Sequence, residues 1–254
     1  NRINGIFAFA IYDGIKNEII IARDAFGVKP LYYNISFYGL IFCSELKGLI
    51  DLYPLDKKSF LNNDIENLDI QSIERYLTYL WNPGMGTPSK NIKKLLPGEA
   101  LLIKDGKIEN EIKWYKRHFY NKKRPFIHNN KQYYIKETEK YIREAVHKQM
   151  ISDVPVGSFL SGGLDSSTIV SFAREINPDI SCFTFNNNNR GEEGIVDDLP
   201  YAKRVASFLN VPLHVVNIEA DLLNKGIKDL VVKLDEPLAD PAALNVLYIS
   251  HFGF

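Results

Sequence analysis

The chain has 254 residues, 45% of them hydrophobic and 24% charged, with 31 Lys plus Arg balanced by 31 Asp plus Glu. That composition belongs to one large globular domain or two modest ones, and the zero net charge argues against a general nucleic-acid or anionic-membrane binder. No apolar run approaches the roughly 20 residues that span a bilayer. The two cysteines, Cys43 and Cys182, lie on predicted strands without CxxC or His neighbours, so they read as buried free thiols of a reducing compartment.

Taken in order, residues 3–12 are rich in β-branched and aromatic side chains and predict a strand. Asp13-Gly14 closes a hairpin with a second strand over 18–22. A turn at 23–30 leads into an aromatic strand at 31–33, then a strand at 40–43 and a short helical start at 44–50. Residues 51–69 are polar and predict a loop, whereas apolar spacing (Ile73, Tyr76, Leu77, Leu80) predicts a helix over 70–81 that stops at Asn82-Pro83-Gly84. Pro97-Gly98 is a turn, and strands at 100–103 and 111–115 flank Asp105-Gly106. Short strands joined by tight turns predict an antiparallel sandwich.

Residues 116–131 turn basic and polar, with Pro125, and predict a linker rather than an RNA-binding arm, because no nucleic-acid motif accompanies them. Helical spacing resumes at 134–150. Strands at 156–160, 180–185 and 213–218 then alternate with helices at 165–175, 201–209 and 221–234, separated by a polar loop at 186–198. Alternation of this kind predicts an α/β doubly wound parallel sheet with ligands at the C-terminal strand ends.

The strongest single signal lies at the first of those ends: Val156-Gly157-Ser158-Phe159-Leu160, then Ser161-Gly162-Gly163-Leu164-Asp165-Ser166-Ser167. A strand, a glycine turn and a helix N-terminus bring free N–H groups and the helix dipole to one point, which suits an anion. Asp165 is a carboxylate beside that point, which makes sense if a divalent cation bridges it to a phosphate. No Lys follows the glycines, so the run is not a P-loop.

These residues resemble the pyrophosphate loop (SGGxDS) of ATP pyrophosphatases, and the preceding Ser152-Asp153-Val154-Pro155-Val156-Gly157 narrows the resemblance to the asparagine synthase family. Arg23-Asp24-x-Phe26-Gly27-x-Lys29-Pro30-Leu31-Tyr32-Tyr33 and Phe42-x-Ser44-Glu45-x-Lys47 resemble the later half of a class II glutamine amidotransferase domain, with Ala25 where the family has arginine. The resemblance implies the later half of an α+β N-terminal-nucleophile sandwich at 1–115, the 116–131 linker, and the first part of a PP-loop synthetase domain at 132–254. It further implies ATP and Mg2+ as cofactors, with Ser161, Gly162, Gly163, Asp165, Ser166 and Ser167 on the pyrophosphate and Asp165 on the metal. Leu160 and Phe185 would frame the adenine, unless they are plain core. Asp24 would receive the α-amino group of glutamine, unless the Arg23–Asp24 turn is purely structural. Asp235-Glu236-Pro237 and Asp240 match a family segment whose carboxylates hold the metal, shape the aspartate pocket or cap a helix. Trp114-Tyr115 would pack.

The expected activity is ATP-dependent amidation of aspartate with glutamine nitrogen, in the cytoplasm, with a homodimer as the candidate assembly and neither nucleic acid nor membrane as a partner. The alternatives are a related amidotransferase acting on another carboxylate, or a nucleotide-binding pseudoenzyme. The family's nucleophile is an N-terminal cysteine; here Asn1 stands first, and both ends of the sequence look cut, so an internal piece without glutaminase activity is expected.

Overall fold

The computed structural model describes residues 3–36, 39–52, 67–116, 130–187, 197–218, 220–240 and 242–253. By its contacts the chain falls into two units, 1–119 with 231–240, and 120–230 with 241–254. The expected division at 115 and 132 was linear. The contacts instead place 231–240 in the first unit, and most of the expected linker lies outside the described residues, as do 53–66 and 188–196 of the two expected loops.

The first unit runs β1 (Ala8–Asp13), β2 (Glu18–Arg23), β3 (Tyr32–Ser36), β4 (Gly39–Cys43), α1 (Leu46–Leu52), α2 (Ile70–Tyr79), β5 (Lys93–Lys94), β6 (Glu99–Lys104) and β7 (Lys107–Lys113). Two antiparallel sheets result, ordered β1-β2-β6-β7 and β4-β3-β5. Their facing residues share a core of Ile21, Leu31, Tyr33, Leu95, Leu101 and Ile103. Because side chains alternate along a strand, Tyr32 faces the other way and packs with Leu46 and Leu49 of α1.

The two hairpins close differently. Asp105 and Gly106 take φ of 49° and 75°, the two-residue turn whose twist suits antiparallel strands. After β1 the Asp13 carboxylate accepts the N–H of Ile15 and Lys16 at 3.0 and 3.2 Å, and Asn17 takes φ 55°, so this turn is longer than Asp13-Gly14. Helix α2 starts where Asp69 accepts the Gln71 N–H at 3.2 Å. It stops two residues short of Trp81, because Leu80 turns left-handed at φ 65° and its N–H closes on the Tyr76 carbonyl.

The second unit contains α3 (Lys131–Gln149), β8 (Ser158–Phe159), α4 (Leu164–Ile176), β9 (Cys182–Asn187), α5 (Leu199–Leu209), β10 (Leu213–Ile218), the main part of α6 (Ala220–Lys233), and α7 (Ala242–Gly253). Strands β8, β9 and β10 are parallel, ordered β10-β9-β8. One face carries α4 and α5 through Val170, Ala173, Ala202 and Ala206 around Cys182; the other carries α7 through Ile249 against Val216, Phe183 and Phe185. This is an α/β layer with helices on both faces, as the alternation predicts. Strand β8 holds only two of the five expected residues. Among the described residues no helix is long and apolar enough to cross a membrane.

Candidate functional site

The loop after β8 is shaped by one glycine. Gly162 has φ 79°, and a Cβ there would run into the Tyr201 and Ala202 backbone of α5. Only a residue without Cβ lets the chain turn that tightly against the helix. Gly163, at φ −69°, is the N-cap of α4 and has no side-chain cap bond. The first N–H groups of α4 therefore point out of the helix end without intrahelical acceptors.

A hydroxyl ring fixes the loop. The Gly163 N–H donates to Ser161 Oγ at 3.3 Å, Ser161 Oγ lies 3.1 Å from Ser166 Oγ, and the Ser166 hydroxyl donates to the Gly163 carbonyl at 3.2 Å. Ser167 Oγ is buried without a hydrogen-bond partner. An orphaned buried hydroxyl costs about 1–3 kcal/mol, and a ligand oxygen at this helix end would remove that cost. Asp165 stands exposed in the first turn of α4. A cleft of about 760 Å³ borders Gly162 and is lined by Tyr201, Lys203, Arg204, Val205, Ser207 and Phe208 of α5. Its two cations favour a negatively charged occupant of the neighbourhood.

Ser161, Gly162, Gly163, Asp165, Ser166 and Ser167 are thus brought together. Leu160 and Phe185 are not part of that group. Leu160 is 1% exposed in the α4–α5 core, with its N–H on the Phe183 carbonyl at 2.8 Å. Phe185 packs on the opposite face with Val216. The Leu160 side chain lies in the core, and Phe185 is half-buried near the end of β9. Among the described residues no group of three or more His, Cys, Asp or Glu could hold a metal.

Asp24 in the first unit holds its own turn. Its side chain is 1% exposed, and its oxygens accept the N–H of Phe26, Val28 and Lys29, each at 3.0 Å. Burial pushes its pKa up, but these bonds and the Gly27 N–H outweigh it, leaving the carboxyl below the ordinary range. Arg23 complements it, donating to the carbonyls of Lys29, Leu95 and Gly27 at 2.7, 2.7 and 2.6 Å. The pair organises the turn. Trp114 packs as expected: its indole N–H meets the Arg23 carbonyl at 3.2 Å and its ring stacks on Phe7.

Sequence reasoning missed two things. The backbone of α5 behind Gly162 is a contact across about 40 residues with no local signature. Asp235 and Glu236, for which the sequence leaves metal, aspartate pocket and helix cap open, both bond within the first unit.

An α/β unit with an open helix end behind a glycine turn has the geometry that suits an anion. Residues 1–116 match the glutamine amidotransferase domain, and residues 137–251 match the asparagine synthase domain. The chain thus resembles a glutamine amidotransferase over its first half and an asparagine synthase over its second. It is 32% identical over 251 residues to asparagine synthetase (glutamine-hydrolyzing) 1 of Bacillus subtilis, covering 98% of this chain and 37% of that protein. Asparagine synthetase (glutamine-hydrolyzing) 2 of the same organism is 29% identical over 270 residues, covering 99% of this chain and 33% of that protein. Amidase chyE of Penicillium rubens is 25% identical over 264 residues, covering 98% and 37%. The chain therefore spans well under half the length of these relatives.

Proposed function

We propose that this chain is part of a glutamine-hydrolysing asparagine synthase of the cytoplasm, with the 161–167 loop as the pyrophosphate end of its ATP site. The observation that carries this reading is the buried, partnerless Ser167 hydroxyl at the uncapped start of α4. The first unit's paired sheets fit the later half of an N-terminal-nucleophile sandwich, and the second unit fits a PP-loop synthetase fold.

In the reaction, the aspartate β-carboxylate attacks the α-phosphorus of ATP and pyrophosphate leaves. Ammonia from glutamine then displaces AMP, giving asparagine. The α4 N–H groups and the Ser167 hydroxyl stabilise the charge that builds on the departing pyrophosphate. Mg2+ commonly takes one or two carboxylates together with phosphate oxygens, and exposed Asp165 fits as such a ligand. Bound there, the ion would neutralise charge on the phosphates. Neither described cysteine suits the glutaminase nucleophile. Burial pushes the Cys182 thiol up to about 11, and Cys43 lies within β4.

The direct test is pyrophosphate release by the protein of the complete reading frame, given ATP and aspartate. Release with other carboxylates but not aspartate would instead favour the second reading, an amidotransferase nearer the amidase relative. In that assay Asp165→Ala is expected to lower synthesis at least about 100-fold while glutamine hydrolysis continues. Equal loss of both activities would contradict the assignment of Asp165.

A further inference from the structure

Three residues of the 235–239 stretch after α6 touch four elements of the first unit. Asp235 accepts the Lys47 N–H at 3.4 Å in the first turn of α1. Glu236 accepts the Tyr32 hydroxyl on one oxygen and the Lys94 ammonium on the other, each at 2.9 Å. The Ala239 N–H donates at 2.9 Å to the carbonyl of Leu80, the left-handed residue that ends α2.

The middle contact is the most protected. Lys94 and Glu236 are 12% and 15% exposed, and Lys94 also donates to the Asn82 carbonyl at 2.6 Å. Burial and the Glu236 charge both push the Tyr32 phenol up, so it remains a donor. A buried pair of this kind is strongly destabilising when one partner is removed, because the other charge stays behind uncompensated.

Nine residues before Asp235, α6 is held in the second unit. Gly226 is buried, and a Cβ there would strike the Tyr248 hydroxyl and come within 3.0 Å of Leu244 Cδ1, both on α7. Helix α6 is therefore gripped at its middle by α7, and the chain leaving its C-terminal end is gripped by α1, β3, β5 and α2. A helix transmits displacement along its length, because its peptide units are hydrogen-bonded in series.

We propose that residues 235–239 are a strap fastened by Glu236 to Lys94 and Tyr32, and that α6 couples this strap to α7. Order in α7 and order in the strap then rise and fall together. The coupling rests on geometry within each unit and on the continuity of α6, not on the ATP reading.

Hydrogen–deuterium exchange on the 254-residue chain tests it. Glu236→Gln and Lys94→Met are each expected to speed exchange over 234–240 at least about tenfold. Exchange around Leu244 and Tyr248 is expected to rise by a smaller factor, about threefold, while the β6–β7 hairpin keeps its rate. The double variant should exchange little faster than either single one, since the two residues act as one pair. Unchanged exchange at 234–240 would overturn the fastening, and faster exchange there with wild-type rates in α7 would overturn the coupling. If the charged variants do not fold, Tyr32→Phe decides: it removes one hydroxyl, leaves the ion pair, and should speed 234–240 about threefold. No change with Tyr32→Phe would overturn the proposal in that case.

Discussion

Gly162→Ala is expected to destabilise the chain by about 3–5 kcal/mol, whereas Gly163→Ala costs no more than about 1 kcal/mol. The two glycines are adjacent and look equivalent in Ser161-Gly162-Gly163, but their surroundings differ. Gly163 has φ −69°, open to any residue, and the nearest atom to an added Cβ is Ser161 Oγ at 3.4 Å. Gly162 has φ 79°, which alone costs an L-residue roughly 1–2 kcal/mol. Its added Cβ also meets backbone atoms of Tyr201 and Ala202, which cannot rotate away as a side chain would. To make room α5 must retreat, and Ala202 and Ala206, 0% and 4% exposed, then lose their contacts with Leu160 and Val170. Urea unfolding followed by far-ultraviolet circular dichroism reads both costs. Equal midpoint shifts for the two variants would show that the approach of α5 does not constrain the loop. Calorimetric titration with inorganic pyrophosphate should show no heat with Gly162→Ala and near-normal heat with Gly163→Ala.

The elements whose cause is local were legible in the sequence. The Asp105-Gly106 hairpin, the α2 spacing and the strand–loop–helix at 158–167 follow from turn chemistry and periodicity that act over a few residues. What could not be read depends on partners far along the chain. Leu160 ends a strand beside the loop, where pocket wall and core look alike in sequence; only the arrival of α5 makes it core. Asp24 sits in a motif rich in charge, and charge suggests a ligand. In the folded chain it holds its own turn, where three N–H groups within five residues converge on it. Asp235 and Glu236 have no local pattern that tells a metal ligand from a strap. Their partners Lys47, Tyr32 and Lys94 are 142 or more positions away.

Asp24→Ala is expected to destabilise the chain by about 3 kcal/mol at neutral pH, with Asp24→Asn costing roughly half as much. Alanine leaves the N–H groups of Phe26, Val28 and Lys29 without the acceptor that both Asp24 oxygens now provide. At about 1 kcal/mol net for each bond, the loss is near the total quoted. Asparagine restores one oxygen but turns an amide donor toward donors. Arg23 gives a parallel reason for a large effect: its three carbonyl bonds hold the same turn, and the Asp24 charge favours its charged form against burial. The pH dependence has a definite sign. The folded-state pKa of Asp24 is lowered, so the proton binds more readily to the unfolded chain, whose value is about 3.9. The stabilisation is therefore complete above about pH 4 and is lost as pH falls through the lower folded value. Urea midpoints measured from pH 7 down to pH 2 should fall more steeply below about pH 4 in the wild-type chain than in Asp24→Asn, and the two curves should converge at the acid end. A constant gap between them would mean that the carboxylate charge plays no part in holding the turn.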